Sequence, residues 1–536
     1  MRTLVIGLDG VGFPVLDPLI ERDVVPNIGR FRDRSAAAPL ESQLPPWTPS
    51  AWPSIYTGVN PGKHGVYDFL RFDGYDWTIA NRDHVKEHAV WELLSMEGYT
   101  SVVLNVPVTH PPRRFDGVLV PGYTAPEEAD CHPSGVRTEL EAELGEYRLY
   151  TETPGASTTK RERVRGYERL TRMRGVAFRT LVEKHDPDFG FVQFQQCDSV
   201  FHDFPGDDDV VRGVFEAIDR EVGAILTACD PDVVLIVSDH GIGPMNGYEF
   251  RVNNYLRETG FVTATASGEG MPSWKSVSRK RSRRGESGGS TTPTVLERAV
   301  EGLARAGITS QRIGAAAKRL GIDDVVLELA PDDVVRAGGE QVDFASSVAY
   351  MRSRTEMGVR LNLEGREPAG VVSPTEYERT RTAVIDVLEG VTTPDGDPVF
   401  EGVYPREDVY EGPYLEDAPD IVTVPNGFDQ FLVANLKESR FGEPTEPWEH
   451  KLDGIVMAGG AGVETDATLT DPHVFDIAPT VLATFGLPSS DRMDGAPLPI
   501  VEPIGRTEYV SFEPKEPART DSTTVEQRLA DLGYLE

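Results

Sequence analysis

Four apolar runs, spaced by helical patterns, constrain this chain more than any other feature. They read TLVIGLD (3–9), SVVLNVPV (101–108), DFGFVQFQQCD (188–198) and DVVLIVSDHG (232–241). Near-continuous apolar runs of this length suit strands buried on both faces of a sheet. Helical patterns lie between them, at PNIGRFRDRS (26–35), HAVWELLSMEG, 159–184 and 208–228. The alternation predicts an α/β fold, with a central, mostly parallel sheet and helices on both faces. Later runs (SSVAYMRS, GVRLNLEG, APDIVTVP, DGIVMAGG) alternate with helices at 375–389 and at FDIAPTVLATFG, and no internal repeat is visible.

The texture breaks once. From residue 264 the chain becomes polar, Gly/Ser-rich and aperiodic, then gives two short helical patterns, VLERAVEGLARAGI and SQRIGAAAKRLGI. We therefore divide it into 1–263 and 336–502 as two parts of one core, 264–335 as an inserted flexible and helical segment, and 503–536 as a tail. The tail's VEQRLADLGYLE is amphipathic and is expected to dock on the core. Within the insertion, SRKRSRRG is the one basic island; it is a solvated loop or a cationic flap over an anionic substrate.

The formal net charge is −34, spread along the sequence, and arginine outnumbers lysine. A phosphate backbone would be repelled, so nucleic acid is not an expected partner. Dispersed acid with little lysine fits either adaptation to high salt or an ordinary acidic protein. No run approaches the roughly 20 apolar residues of a membrane span, and the first residues lack the pattern of a secretory signal. A cytoplasmic location is expected. Three cysteines cannot all pair, and Cys197 reads as a buried thiol in a strand.

Three of the strands end in acids: Asp9, Asp198, and Asp239 followed by His240. Ligands bind an open α/β sheet at the carboxyl ends of its strands. Three carboxylates gathered there repel one another unless a cation neutralises them. His202 follows Asp198 by one helical turn, so both can reach one ion. Aspartate with histidine suits zinc or manganese, and the set reads as a two-metal site. GLDGVG, by contrast, has the wrong glycine order for a dinucleotide loop.

A further stretch, PPWTPSAWPSIYTGVNPGKHG (45–65), runs from an extended Pro-Pro-Trp segment into a helix. Thr48 before Pro49 is either a helix cap or a nucleophile at a helix N-terminus whose N–H groups face an anion.

Together these segments resemble the alkaline phosphatase superfamily, and within it the type I phosphodiesterase/nucleotide pyrophosphatase family. The resemblance rests on LDG near the start, TPSAWPSIYTGVNPGKHG, DSVFH, SDHG and the late EHKLDGI. NVPVTHPP (105–112), GVRLNLEGREPAGVV (358–372), DIAPTVLATFGLP and RLADLGYLE are similar to archaeal and bacterial members. It spans nearly the whole chain apart from 264–335.

The resemblance implies an alkaline-phosphatase-like fold and a metal-dependent hydrolase of phosphodiester or pyrophosphate bonds. Thr48 would be the nucleophile. Asp9, Asp239 and His240 would hold one divalent ion, and Asp198, His202 and His450 the other, most simply two Zn2+, with Mn2+ as the alternative. His473 competes with His450 for the last position. His64 is expected to be structural. Asn105, His110 and Asp68 are weaker candidates for substrate contact. The implied substrate is small and phosphorylated: a nucleotide, a nucleotide-sugar or a similar phosphodiester. Asp68 and Phe69 stand where nucleotide pyrophosphatases carry asparagines, which weakens the case for a nucleotide. A phosphomonoesterase, a phospho- or sulfo-transfer enzyme of the same superfamily, and an inactive binding protein are the rival readings.

Overall fold

The computed structural model describes residues 1–151, 159–265 and 341–515, together with 525, 526 and 529. Its centre is a seven-stranded sheet. From one edge to the other the strands are Ala36–Glu41, Asp453–Gly459, Val233–Val237, Thr3–Leu8, Phe189–Phe194, Ser101–Leu104 and Gly117–Val120. Thr3–Leu8 pairs in parallel with Phe189–Phe194 and with Val233–Val237; Asp453–Gly459 alone runs antiparallel to its neighbours. The mostly parallel sheet expected from the alternation is therefore present.

Strand alternation divides the core into two layers. Leu4, Ile6, Leu8, Val234 and Ile236 face one cluster, which the helices Lys160–His185 and Asp208–Cys229 cover with Phe178, Leu181, Phe215 and Ile218. Val5, Leu235 and Val237 face the other, covered by Trp52, Ile55, Trp91 and Val481 from helices Thr48–Thr57, Val90–Met96 and Ile477–Thr484. The long helix starts where its sequence says it should. Thr159 Oγ1 accepts the N–H of Glu162 at 3.3 Å, and Glu162 returns a bond to the Thr159 N–H at 2.8 Å.

Two expected strands end early. The run 101–108 stops at Leu104, because Asn105 and Val108 both take positive φ. The run 188–198 stops at Phe194, and Gln196–Asp203 is a helix. Cys197 is a buried thiol as expected, but it lies in that helix rather than in a strand.

A smaller module packs beside the sheet. Its four-stranded antiparallel sheet is built from Ala349–Tyr350, Gly358–Leu361, Ile421–Pro425 and Phe400–Pro405, with helix Tyr377–Glu389. Phe250, Val359, Leu361, Val384, Leu388 and Ile421 form its own core. Ala264–Thr265 pairs antiparallel with Gln341–Val342. The basic run and the two helices expected between them lie outside the described residues. Of the expected tail helix, Val525 and Leu529 are described, and both are buried in the sheet's main core. Among the described residues no helix is long and apolar enough to cross a membrane.

Candidate metal centre

Asp9 follows the first strand directly, where the chain turns at Gly10 with φ of 67°. A Cβ on Gly10 would stand 2.8 Å from Asp198 Oδ1, so only glycine lets the two segments close on each other. Asp9 Oδ2 accepts from the indole N–H of Trp52 at 2.9 Å and from Gln193 Nε2 at 2.5 Å. Those two bonds aim Oδ1 at Thr48, whose Oγ1 lies 3.3 Å away.

Asp239 and His240 follow strand Val233–Val237. Asp239 Oδ1 accepts the Gly10 N–H at 3.2 Å, while its buried Oδ2 has no hydrogen-bond donor. Ser238 ties these loops together, taking the Val11 N–H at 2.8 Å and donating to His240 O at 2.6 Å. His240 Nδ1 sits 2.9 Å from Gly241 O, and a carbonyl can only accept. The proton is therefore on Nδ1, which leaves Nε2 with a lone pair, 3.2 Å from Asp239 Oδ2 and 3.3 Å from Thr48 Oγ1.

His450 comes from far along the chain. Strand Trp448–Lys451 pairs antiparallel with Gly241–Pro244, setting His450 opposite Ile242. Its Nδ1 donates to Pro46 O at 3.0 Å, so its Nε2 too faces inward. That atom lies 3.3 Å from His202 Nε2 and 3.5 Å from Asp198 Oδ1, and His202 Nε2 lies 3.3 Å from the same oxygen. Asp198 is thus in the first turn of a helix rather than at a strand end, and the one-turn spacing to His202 holds.

The ligand atoms fall into two groups: Asp198 with His202 and His450, and Asp9 with Asp198 and His240. Asp198 thus reaches both groups, and Asp239 Oδ2 lies 3.2 Å from His240 Nε2 beside the second. His473 belongs to neither. Its Nδ1 accepts the Phe475 N–H at 3.2 Å and its ring packs on Phe475.

Burial, reinforced by the neighbouring Asp198, holds Asp9 well above the usual carboxylate range, and burial with Asp9 does the same to Asp239. Burial and the nearby His450 push His240 down. A divalent cation removes this conflict, and a buried Asp239 oxygen without a donor, beside two lone-pair imidazoles, fits one.

Thr48 is the first residue of helix Thr48–Thr57, with the extended Trp47 in the cap position, and its side chain makes no cap bond. The cap reading therefore fails: the hydroxyl faces Asp9 and His240 instead. Pro49 has no N–H, and those of Ser50 and Ala51 go to Trp47 O, so this helix end presents fewer donors than expected.

The weaker candidates are held differently. Asn105 is buried, its amide donating to Pro121 O at 3.3 Å and accepting from the Tyr147 hydroxyl at 2.7 Å. His110 is partly buried and its Nδ1 has no hydrogen-bond partner. Asp68 takes the Phe69 N–H at 2.5 Å, and burial pushes its carboxyl up to about 7. Among the described residues, no side-chain hydrogen bond joins these three to the acid–histidine groups. His64 is structural as expected, bonded to Ser54 Oγ at 3.0 Å and pushed down to about 3 by burial. Trp52 and Gln193, which aim Asp9, went unread in the sequence. The signal for Trp52 was its place four residues after Thr48, on the same helix face.

A family model described as type I phosphodiesterase / nucleotide pyrophosphatase matches residues 3–438. No protein of curated function matches. Phosphonoacetate hydrolase from Sinorhizobium meliloti 1021, in complex with phosphonoformate, is similar in structure: TM-score 0.55 at 14% identity, covering 89% of this chain and 94% of that one. Human ectonucleotide pyrophosphatase/phosphodiesterase 5 superposes with a TM-score of 0.48 at 12% identity, over 91% of this chain and 96% of its own.

Proposed function

The chain belongs to the type I phosphodiesterase/nucleotide pyrophosphatase family of hydrolases, and on that premise we propose that it cleaves phosphodiester or pyrophosphate bonds with Thr48 as nucleophile. The observation that carries this reading is Thr48 Oγ1, at 3.3 Å from both Asp9 Oδ1 and His240 Nε2. A threonine hydroxyl is a weak nucleophile unless its surroundings activate it, and two buried ligand residues converge on this one. Asp9, Asp239 and His240 would hold one divalent ion and Asp198, His202 and His450 the other; Asp198 is in reach of both groups, and the donor-less Asp239 Oδ2 lies beside His240 Nε2. Two such ions, zinc or manganese, would neutralise the phosphoryl oxygens and the buried acids.

Thr48 gives up its hydroxyl proton to water and attacks phosphorus in line. The bond from phosphorus to the leaving oxygen breaks, its electron pair stays on that oxygen, and water then cleaves the phosphothreonine. Trp52 and Gln193 keep Asp9 aimed at the hydroxyl, and the carbonyls of Gly241 and Pro46 hold the two imidazoles in one tautomer. The substrate is a small phosphorylated molecule of the nucleotide, nucleotide-sugar or similar phosphodiester class. Residues 1–263 and 336–502 form the catalytic core, with 264–335 inserted into it.

Turnover of bis-p-nitrophenyl phosphate against p-nitrophenyl phosphate, by metal-loaded wild type and Thr48→Ala, tests this. Diester preference that vanishes in the variant is the expected result. Preference for the monoester moves the protein to the phosphomonoesterases, and equal rates in both proteins overturn Thr48.

A further inference from the structure

Five consecutive polar residues of the small module, Arg352 to Glu356, are all buried. Burying charge is costly unless it is paired, so such a run calls for a reason. Arg352 and Glu356 pair within the loop, with Arg352 Nε donating to Glu356 Oε1 at 2.8 Å. Arg354 does not stay within it. Its guanidinium lies over the ring of Phe431 at 4.3 Å and pairs with Glu449 Oε2.

Glu449 directly precedes His450. Its other oxygen, Oε1, accepts the His450 backbone N–H at 3.0 Å and lies 3.7 Å from His450 Nε2, the atom turned toward Asp198 and His202. We propose that Arg354 and Glu449 are positioning residues that lock His450 in place, and that through them the small module completes the metal site formed by Asp198, His202 and His450. The inference rests on the two-metal reading of the site. Arg354 holds Oε2 away from the ligand atoms, and Oε1 fixes the backbone from which His450 projects. Without the arginine, the carboxylate can swing onto the imidazoles and compete with Asp198.

The test is calorimetric titration of the full-length, chelator-stripped protein with Zn2+, for wild type, Glu449→Gln, Arg354→Ala and Arg354→Lys. Partners of this kind change metal affinity by about 10–100-fold. Wild type should bind two ions. Glu449→Gln and Arg354→Ala should weaken one of them by that factor and leave the other unchanged. Arg354→Lys, which keeps the charge and loses the planar fork, should fall between. At saturating metal, kcat should drop while KM holds. Glu449→Gln preserves shape and carries the test if Arg354→Ala fails to fold. Wild-type affinity for both ions in the folded variants overturns the proposal, as does equal weakening of both. A wild type that binds no divalent ion sinks the two-metal reading itself.

Discussion

The imidazoles of His240 and His450 lie face to face, their centroids 3.7 Å apart and their planes inclined by 19°. His240 directly precedes strand Gly241–Pro244 and His450 lies in strand Trp448–Lys451, and the two strands pair antiparallel although they are far apart in sequence. Trp47 packs against the far histidine at 4.7 Å, directly before Thr48. Thr48 and the two imidazoles are therefore braced by one another.

That relationship separates two histidines which sequence alone leaves in competition. His450→Ala should remove or weaken one divalent ion and reduce turnover by at least about 100-fold. His473→Ala should leave both ions in place, because His473 bonds within its own turn. Elemental analysis of the two variants, purified side by side, decides it. Loss of metal in His473→Ala alone would reverse the assignment.

Thr48→Ala should lower kcat by about 10³-fold or more, since an activated nucleophile supplies several kcal/mol. The fold should survive, because the hydroxyl makes no cap bond to the helix. Thr48→Ser should keep part of the activity. Circular dichroism beside kinetics separates loss of chemistry from loss of fold.

How much of this the sequence disclosed depends on whether the interactions are local. The long helix at Lys160–His185 was legible nearly to its ends, because its cap, its periodicity and the Asp186 stop are all local. The pair Asp198 and His202 was legible through its spacing. Its setting was misread, because a short apolar run such as FGFVQFQQC fits strand and helix alike until the turn at Gln195 is known. What remained hidden is non-local. Nothing near Asp198 says that it reaches both ligand groups, and nothing near Glu449 points to Arg354; of the strands in the small module's four-stranded sheet, only Phe400–Pro405 went without a reading.

The charge of −34 leads to a salt prediction. If the composition reflects adaptation to high salt, net repulsion limits stability in dilute buffer. The Debye length falls from about 10 Å at 0.1 M to about 3 Å at 1 M, so added salt should relieve that repulsion. The melting temperature should rise steadily with NaCl. A fall with added salt would remove the halophilic reading. If the basic run is a cationic flap, neutralising Arg279, Lys280, Arg281, Arg283 and Arg284 together should raise KM at low salt and have no effect near 1 M.

Acid should unfold the small module through Asp420. This fully buried carboxylate accepts from Arg366 Nη2 at 2.6 Å, from the Tyr377 hydroxyl at 2.7 Å and from the Leu361 N–H at 2.7 Å, with Arg406 at 3.3 Å. Burial alone would raise its pKa, but the Arg366 bonds and the charges of Arg366, Arg360 and Arg406 more than cancel that and hold it well below the usual carboxylate value. Because the folded-state value is the lower one, the stabilisation is fully present above the unfolded value near 3.8 and fades as pH falls toward the folded one. Asp420→Asn should remove this dependence and leave buried arginines without their counter-charge, at a cost of about 3–5 kcal/mol at neutral pH. Urea melts of wild type and variant should therefore keep a constant separation from pH 7 down to about pH 4 and converge only as the pH falls further, toward 2. Curves that converge well above pH 4, or stay parallel all the way to pH 2, would show that Asp420 does not carry the acid sensitivity.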